Sequence, residues 1–170
     1  YRASETRKID SMERLMDYLP ANMPADDGRV SLVHGDYRLD NLMFHPTEPR
    51  AIALLDWELS TLGNPLADLA NQCMAWMLPG DGGIAGMAGV DRSALGLPSD
   101  EEYIARYCER TGRKGIENWN FYIVFSMFRL AAILQGVLKR AEQGNASSPE
   151  ARAKGALVQP LADLANSLID

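Results

Sequence analysis

Val30 to Glu58, VSLVHGDYRLDNLMFHPTEPRAIALLDWE, gathers most of the chain's unusual polar residues between short apolar runs. Val30-Ser31-Leu32-Val33 has the length and β-branched content of a buried strand, and it stops at His34-Gly35-Asp36. After a polar loop, Asn41-Leu42-Met43-Phe44 reads as a second short strand. His45-Pro46-Thr47-Glu48-Pro49 reads as a turn rich in breakers, and Ala51 to Leu55 as a third strand, with Asp56 where it runs out. A hairpin between these strands would bring Asp36, Asn41 and Asp56 side by side. Two carboxylates and an amide form a hard-oxygen donor set that suits Mg²⁺, which takes its other ligands from water and substrate phosphates. Zinc would call for thiolates or more imidazoles.

The spacing His34-x-Asp36-x-x-x-x-Asn41, with Asp56 after an apolar strand, resembles the catalytic and metal segments of the kinase-like fold. More closely, HGDYRLDN together with LLDWE and GNPLADLA is similar to the aminoglycoside phosphotransferase family of small-molecule kinases. Within it, the likeness is to the phosphotransferase domains associated with acyl-CoA dehydrogenases. It is strong from Leu32 to about Ala70, and the RLAAILQGV run from Arg129 is shared with that branch.

The resemblance implies ATP-dependent phosphoryl transfer. Asp36 would be the catalytic base that accepts the proton of the attacking hydroxyl, Asn41 and Asp56 would hold Mg²⁺ on the nucleotide phosphates, and His34 would be structural. The chemistry agrees, because a loose phosphoryl transition state needs positioning and charge neutralisation more than a strong nucleophile. Arg38 stands where many protein kinases carry a phosphate-steadying lysine. It would either grip phosphate oxygens or pair with Asp40 as an exposed loop arginine. Trp57-Glu58 replaces the Phe-Gly of protein kinases. In an extended chain Glu58 would share a face with Asp56 and could assist a second metal, the alternative being a surface or capping glutamate.

The other segments read as support. With 170 residues and 46% hydrophobic content, the chain suffices for one domain with a substantial core. A net charge of −6 disfavours a general nucleic-acid binder. Cys73 and Cys108 form no CxxC pair, which fits a reducing cytoplasm. No apolar stretch is expected to reach the roughly 20 residues that span a bilayer, so no membrane partner is expected.

Helices are expected from Ser4 to Leu19 with Ser4 as cap, from Asn64-Pro65 to before Pro79, from Ser99 to Thr111 with Gly112 as stop, and from Ile116 to about Ala141. A last helix is expected from Pro149 to Ile169. Asp68, in the first turn of its helix, could accept backbone N–H groups from the loop around His34. Arg129 and Gln135, inside an apolar helix, need partners and could thereby face the cleft. Gly80 to Gly96 reads as a loop, and Asp81-Gly82-Gly83 within it is a weak phosphate-loop match that lacks strand and lysine context.

Strands confined to Val30–Leu55 in an otherwise helical chain define an α-rich α+β domain. It resembles the C-terminal lobe of a kinase-like fold, with a small β-hairpin at the active-site edge. Neither a Gly-rich phosphate loop nor its strand lysine precedes Val30, so an N-terminal nucleotide-binding lobe is expected as a partner of residues 1–170, which alone would bind ATP poorly. The acceptor is expected to be a small hydroxylated molecule, a hydroxyacyl-CoA in the nearest branch. A pseudokinase scaffold or a metal-dependent phosphohydrolase would use the same residues differently.

Overall fold

The structure is a computed structural model, and it describes residues 1–80, 84, 86–145 and 149–169. Asp81-Gly82-Gly83, the weak phosphate-loop match, therefore lies outside the described residues. Helix α1 (Asp10–Ala21) is followed by β1 (Ser31–Val33), β2 (Leu42–Phe44), β3 (Ala51–Leu54) and β4 (Thr61–Gly63). Helices α2 (Leu66–Met77), α3 (Asp100–Thr111), α4 (Trp119–Glu142), α5 (Ala151–Gly155) and α6 (Val158–Asn166) form the body.

The strands make two separate antiparallel pairs. β2 and β3 form the expected hairpin, with Leu42 opposite Leu54, Met43 opposite Ala53, and an irregularity between Met43 and Phe44. β1 does not join that hairpin. It pairs with β4, a strand absent from the sequence reading, and sets Leu32 opposite Leu62 and Val33 opposite Thr61. The expectation of a buried strand at Val30–Val33 also fails except at its last residue: Val33 is buried, while Val30 and Leu32 are 66% and 59% exposed. A two-stranded ribbon covers neither face of its own strands, so only the end that runs into the helical body is dry.

Local chemistry explains where several helices begin and end. Ser99 opens α3 with a capping box: its hydroxyl accepts the Glu102 N–H at 3.2 Å, and the Glu102 carboxylate accepts the Ser99 N–H at 2.9 Å. Gly112 closes α3 in the left-handed conformation at φ 64°. Asn64 acts as expected before α2, its side chain accepting the Leu66 N–H at 3.0 Å. At the N-terminus the expectation is corrected. Residues Arg2–Ser4 form a 3₁₀ turn, and α1 starts only at Asp10 and runs through Pro20 to Ala21. Expected as one helix, the C-terminal segment is two, α5 and α6.

Helix α4 is the axis of the body and packs against α1, α2, α5 and α6. By length and composition alone it could cross a bilayer, which corrects the sequence expectation that no stretch qualifies. Its packing is that of a core helix. Val124, Met127 and Ala131 are fully buried against Met12 and Leu15 of α1, Ala70 of α2 and Ala162 and Ala165 of α6. Each large side chain so buried contributes roughly 1.5–3 kcal/mol relative to exposure. Gln135 is buried on this helix but does not reach the cleft. Its amide donates to the Ser4 carbonyl and the Thr6 hydroxyl, both at 3.0 Å, and so straps the N-terminal segment to α4.

Candidate active site

The loop from His34 to Asn41 leaves β1 at its buried end and is fixed from three directions. His34 is almost fully buried, and both of its ring nitrogens are used. Nδ1 accepts the Asp36 N–H at 3.2 Å, which puts the ring proton on Nε2, and Nε2 donates to the Leu55 carbonyl at 2.8 Å. The imidazole thus ties the loop to the end of β3. The Trp57 ring lies against it, with centroids 4.8 Å apart. This is the structural role expected of His34.

The second hold comes from α2. Asp68 accepts the His34 N–H at 2.6 Å on one carboxylate oxygen and the Gly35 N–H at 2.9 Å on the other, as its place in the first helical turn led one to expect. The third comes from α4, where Arg129 donates to the Gly35 carbonyl at 2.6 Å. Arg129 therefore does face this loop, and the cost of taking its charge into the body is met by that bond. Gly35 itself is required: its φ is +83°, and a Cβ there would sit 2.5 Å from the Leu59 carbonyl oxygen.

These holds place Asp36 beside Asn41. The Asn41 side-chain amide donates to the Asp36 carbonyl at 2.8 Å and to the Asp36 carboxylate at 3.1 Å. The Asn41 backbone carbonyl accepts the Leu55 N–H at 2.8 Å, so Asp56 follows directly on the residue paired with Asn41. Asp56 is held in the left-handed region at φ 65°, a conformation that costs a non-glycine residue about 1–2 kcal/mol. Such strain is commonly kept where a side chain must be aimed. Its carboxylate is exposed and has no protein partner among the described residues.

Two other sequence candidates stand differently. Arg38 is ion-paired with Asp40, and that bond holds its guanidinium above the usual arginine range. Both side chains are more than half exposed, so the pair itself adds little stability, up to about 1 kcal/mol. Arg38 nonetheless lines the same cleft as Asp36. For Glu58 the premise of an extended chain is overturned. After Asp56 the backbone turns into a 3₁₀ helix, Trp57–Leu59, pinned by the Trp57 indole N–H on the Leu54 carbonyl at 2.7 Å. The alternating-face argument does not apply to such a turn.

The cleft beside Asp36 has a volume of about 250 Å³ and is walled by Arg38, Asn71, Gln72, Trp76 and Leu130. Sequence reasoning missed Asn71, whose amide donates to the Tyr37 carbonyl at 3.2 Å and braces the loop on its far side. Its spacing of three residues from Asp68 on one helix face was the available signal. On the hairpin next to Asn41 and Asp56, Met43 and Leu55 are 46% and 45% exposed, an apolar platform left open to solvent.

A carboxylate on a loop gripped by helix side chains, an amide bonded to it, and a second carboxylate at a hairpin end are the parts of the C-terminal lobe of a kinase-like phosphotransferase. Residues 1–119 match the Phosphotransferase enzyme family, and the chain belongs to it. A solved structure from Ralstonia eutropha JMP134, described as a candidate aminoglycoside phosphotransferase, is 51% identical with a TM-score of 0.93, over 99% of this chain and 51% of that one. The chain is 52% identical over 166 residues to mouse acyl-CoA dehydrogenase family member 10, matching 97% of this chain but 15% of that protein. It is 42% identical to human acyl-CoA dehydrogenase family member 11 and 43% identical to the Arabidopsis thaliana probable acyl-CoA dehydrogenase IBR3. Those matches cover 96% and 94% of this chain, and 21% and 19% of the two relatives. The chain thus spans about a fifth or less of these curated relatives.

Proposed function

We propose that the chain is the catalytic lobe of a kinase that moves the terminal phosphoryl group of ATP onto a hydroxyl of a small molecule. The observation that carries this reading is the double engagement of Asn41, whose side chain holds Asp36 while its backbone holds the residue before Asp56. Asp36 accepts the hydroxyl proton as phosphoryl transfer proceeds, a role that needs a carboxylate with a free oxygen edge on the substrate cleft. The amide bond from Asn41 and the His34 contact to its N–H fix that carboxylate without neutralising it.

The donor set fits magnesium. The Asn41 amide nitrogen is turned to Asp36, which leaves its oxygen available, and Asp56 presents an unpartnered carboxylate among the described residues. When bound there, the ion would neutralise charge on the nucleotide phosphates. Met43 and Leu55 offer the apolar surface on which a nucleotide base would rest. An N-terminal lobe would close over that platform, as the resemblance implies. Arg38 would steady the transferring group after exchanging Asp40 for phosphate oxygens.

The acceptor is proposed to be an alcohol with an apolar body, such as a hydroxyacyl thioester. Trp76, Met74 and Leu130 wall the cleft beside Asp36, which supports an acceptor with an apolar body. The test is ATP- and Mg²⁺-dependent transfer to hydroxyacyl thioesters and to aminoglycosides, using a polypeptide that carries the chain with its nucleotide-binding lobe. Stoichiometric ADP and a phosphoester of the thioester are expected, and Asp56→Ala should abolish both. Product formed without ATP, or with aminoglycosides alone, would contradict the proposal.

A further inference from the structure

A second groove lies on the opposite side of the same loop. Asp36 and Arg38 line the cleft described above, whereas His34 and Tyr37 line a groove of about 400 Å³ between α3 and the strand ends. Its walls are largely apolar, formed by Leu32, Leu54, Trp57 and Leu69, with Tyr103 and Tyr107 from α3. Arg106 and Arg110, also on α3, stand at its edge.

The groove carries two positive groups, Arg106 and Arg110, against one carboxylate, Asp68. Both Asp68 oxygens are engaged by backbone N–H groups, and both His34 nitrogens are occupied. Arg106 and Arg110 make no ion pair or hydrogen bond among the described residues. They sit one helical turn apart, where like charges repel along a helix face. Of the acidic groups on α3, Glu102 accepts the Ser99 N–H, and Glu102 and Glu109 line a separate depression that Arg106 also borders, not this groove. Two unpaired guanidiniums bordering an apolar trough, in a chain of net charge −6, are a local reversal of the surface field.

We propose that this groove binds an amphipathic anion, a carboxylate on an aliphatic body, with Arg106 and Arg110 on the head group and the body laid along Leu69 and Trp57. Guanidiniums grip carboxylates through paired N–H donors, and apolar walls with few convergent polar groups are the usual make-up of a small-ligand site. The site goes beyond phosphoryl transfer and does not depend on it, since it shares no side chain with the cleft that holds Asp36.

The test is a titration of the protein with octanoate, followed by the indole N–H resonance of Trp57. Octylammonium serves as the cationic counterpart and inorganic phosphate as an anion without an apolar body. Octanoate should shift the resonance saturably, and the other two should not. Replacing both arginines (R106Q with R110Q) should weaken octanoate by about tenfold or more, while R106K with R110K, which keep the charge but lose the paired donors, should weaken it by less than the glutamines do. Both arginines are exposed, so neither pair of changes threatens the fold. An unmoved Trp57 resonance, equal binding of octylammonium, or octanoate affinity indifferent to the glutamines would overturn the proposal.

Discussion

Asp68→Ala removes the carboxylate that receives the His34 and Gly35 N–H groups at 2.6 and 2.9 Å. Hydrogen bonds to a charged group contribute about 1.5–3 kcal/mol each. Asp68 is only partly buried, so water can reach the orphaned donors and the lower figure applies to both, a total of about 3 kcal/mol. In a domain of this size each kcal/mol moves the melting temperature by about 2–4 °C, so a fall of about 6–12 °C is expected by circular dichroism. Asp68→Asn retains one acceptor oxygen and loses the charge, and should fall by about half as much. A shift under about 2 °C for the alanine variant, or equal losses for both variants, would refute the claim that this carboxylate holds the loop from His34 to Asn41.

Three further outcomes follow from single contacts. Gly35→Ala places a Cβ 2.5 Å from the Leu59 carbonyl in a left-handed backbone, and should cost at least about 2–3 kcal/mol in urea unfolding. The Cys73 thiol is pushed up to about 12 by burial, so it should stay unreactive toward Ellman's reagent in the folded protein at pH 8 and react once unfolded. Asp27 is held below the usual carboxylate range, first by the Arg29 N–H and then by Arg113, whose guanidinium it meets at 2.6 Å. A depressed folded value means that this stabilisation is complete above the ordinary carboxylate range and is lost as pH falls through the depressed value, so Asp27→Asn should flatten the acid limb of a stability profile.

Features set by neighbouring residues were legible in the sequence. The Ser99 box, the Gly112 stop, the Asn64 cap and the β2–β3 hairpin each depend on side chains a few positions apart. The Asp36–Asn41 contact was legible for the same reason: the two lie on one short loop, and the backbone of Asn41 pairs with Leu55, the residue before Asp56. The role of Asp68 could be read because a carboxylate at a helix start looks for N–H groups. What escaped depends on partners distant in the chain. Nothing near Thr61 announces a strand, since its pairing is decided by β1 some thirty residues earlier. The exposure of Leu32 follows from that pairing and not from its own hydrophobicity. Ser4 looks like a cap, yet its carbonyl is claimed by Gln135 of α4, which draws the segment away from the helix axis. The extended-chain reading of Glu58 failed because the left-handed turn at Asp56 cannot be read from an aspartate alone, whereas the alternative of a surface glutamate agrees with its exposure.

The central claim is that Asp36 takes the proton from an acceptor hydroxyl while Asn41 and Asp56 serve the metal and nucleotide. The most direct measurement compares steady-state phosphoryl transfer by the wild type and Asp36→Asn, at saturating ATP and Mg²⁺, in a polypeptide that includes the nucleotide-binding lobe. The account predicts that kcat falls about a hundredfold to ten-thousandfold while KM for MgATP stays within about threefold. An unchanged kcat would contradict it.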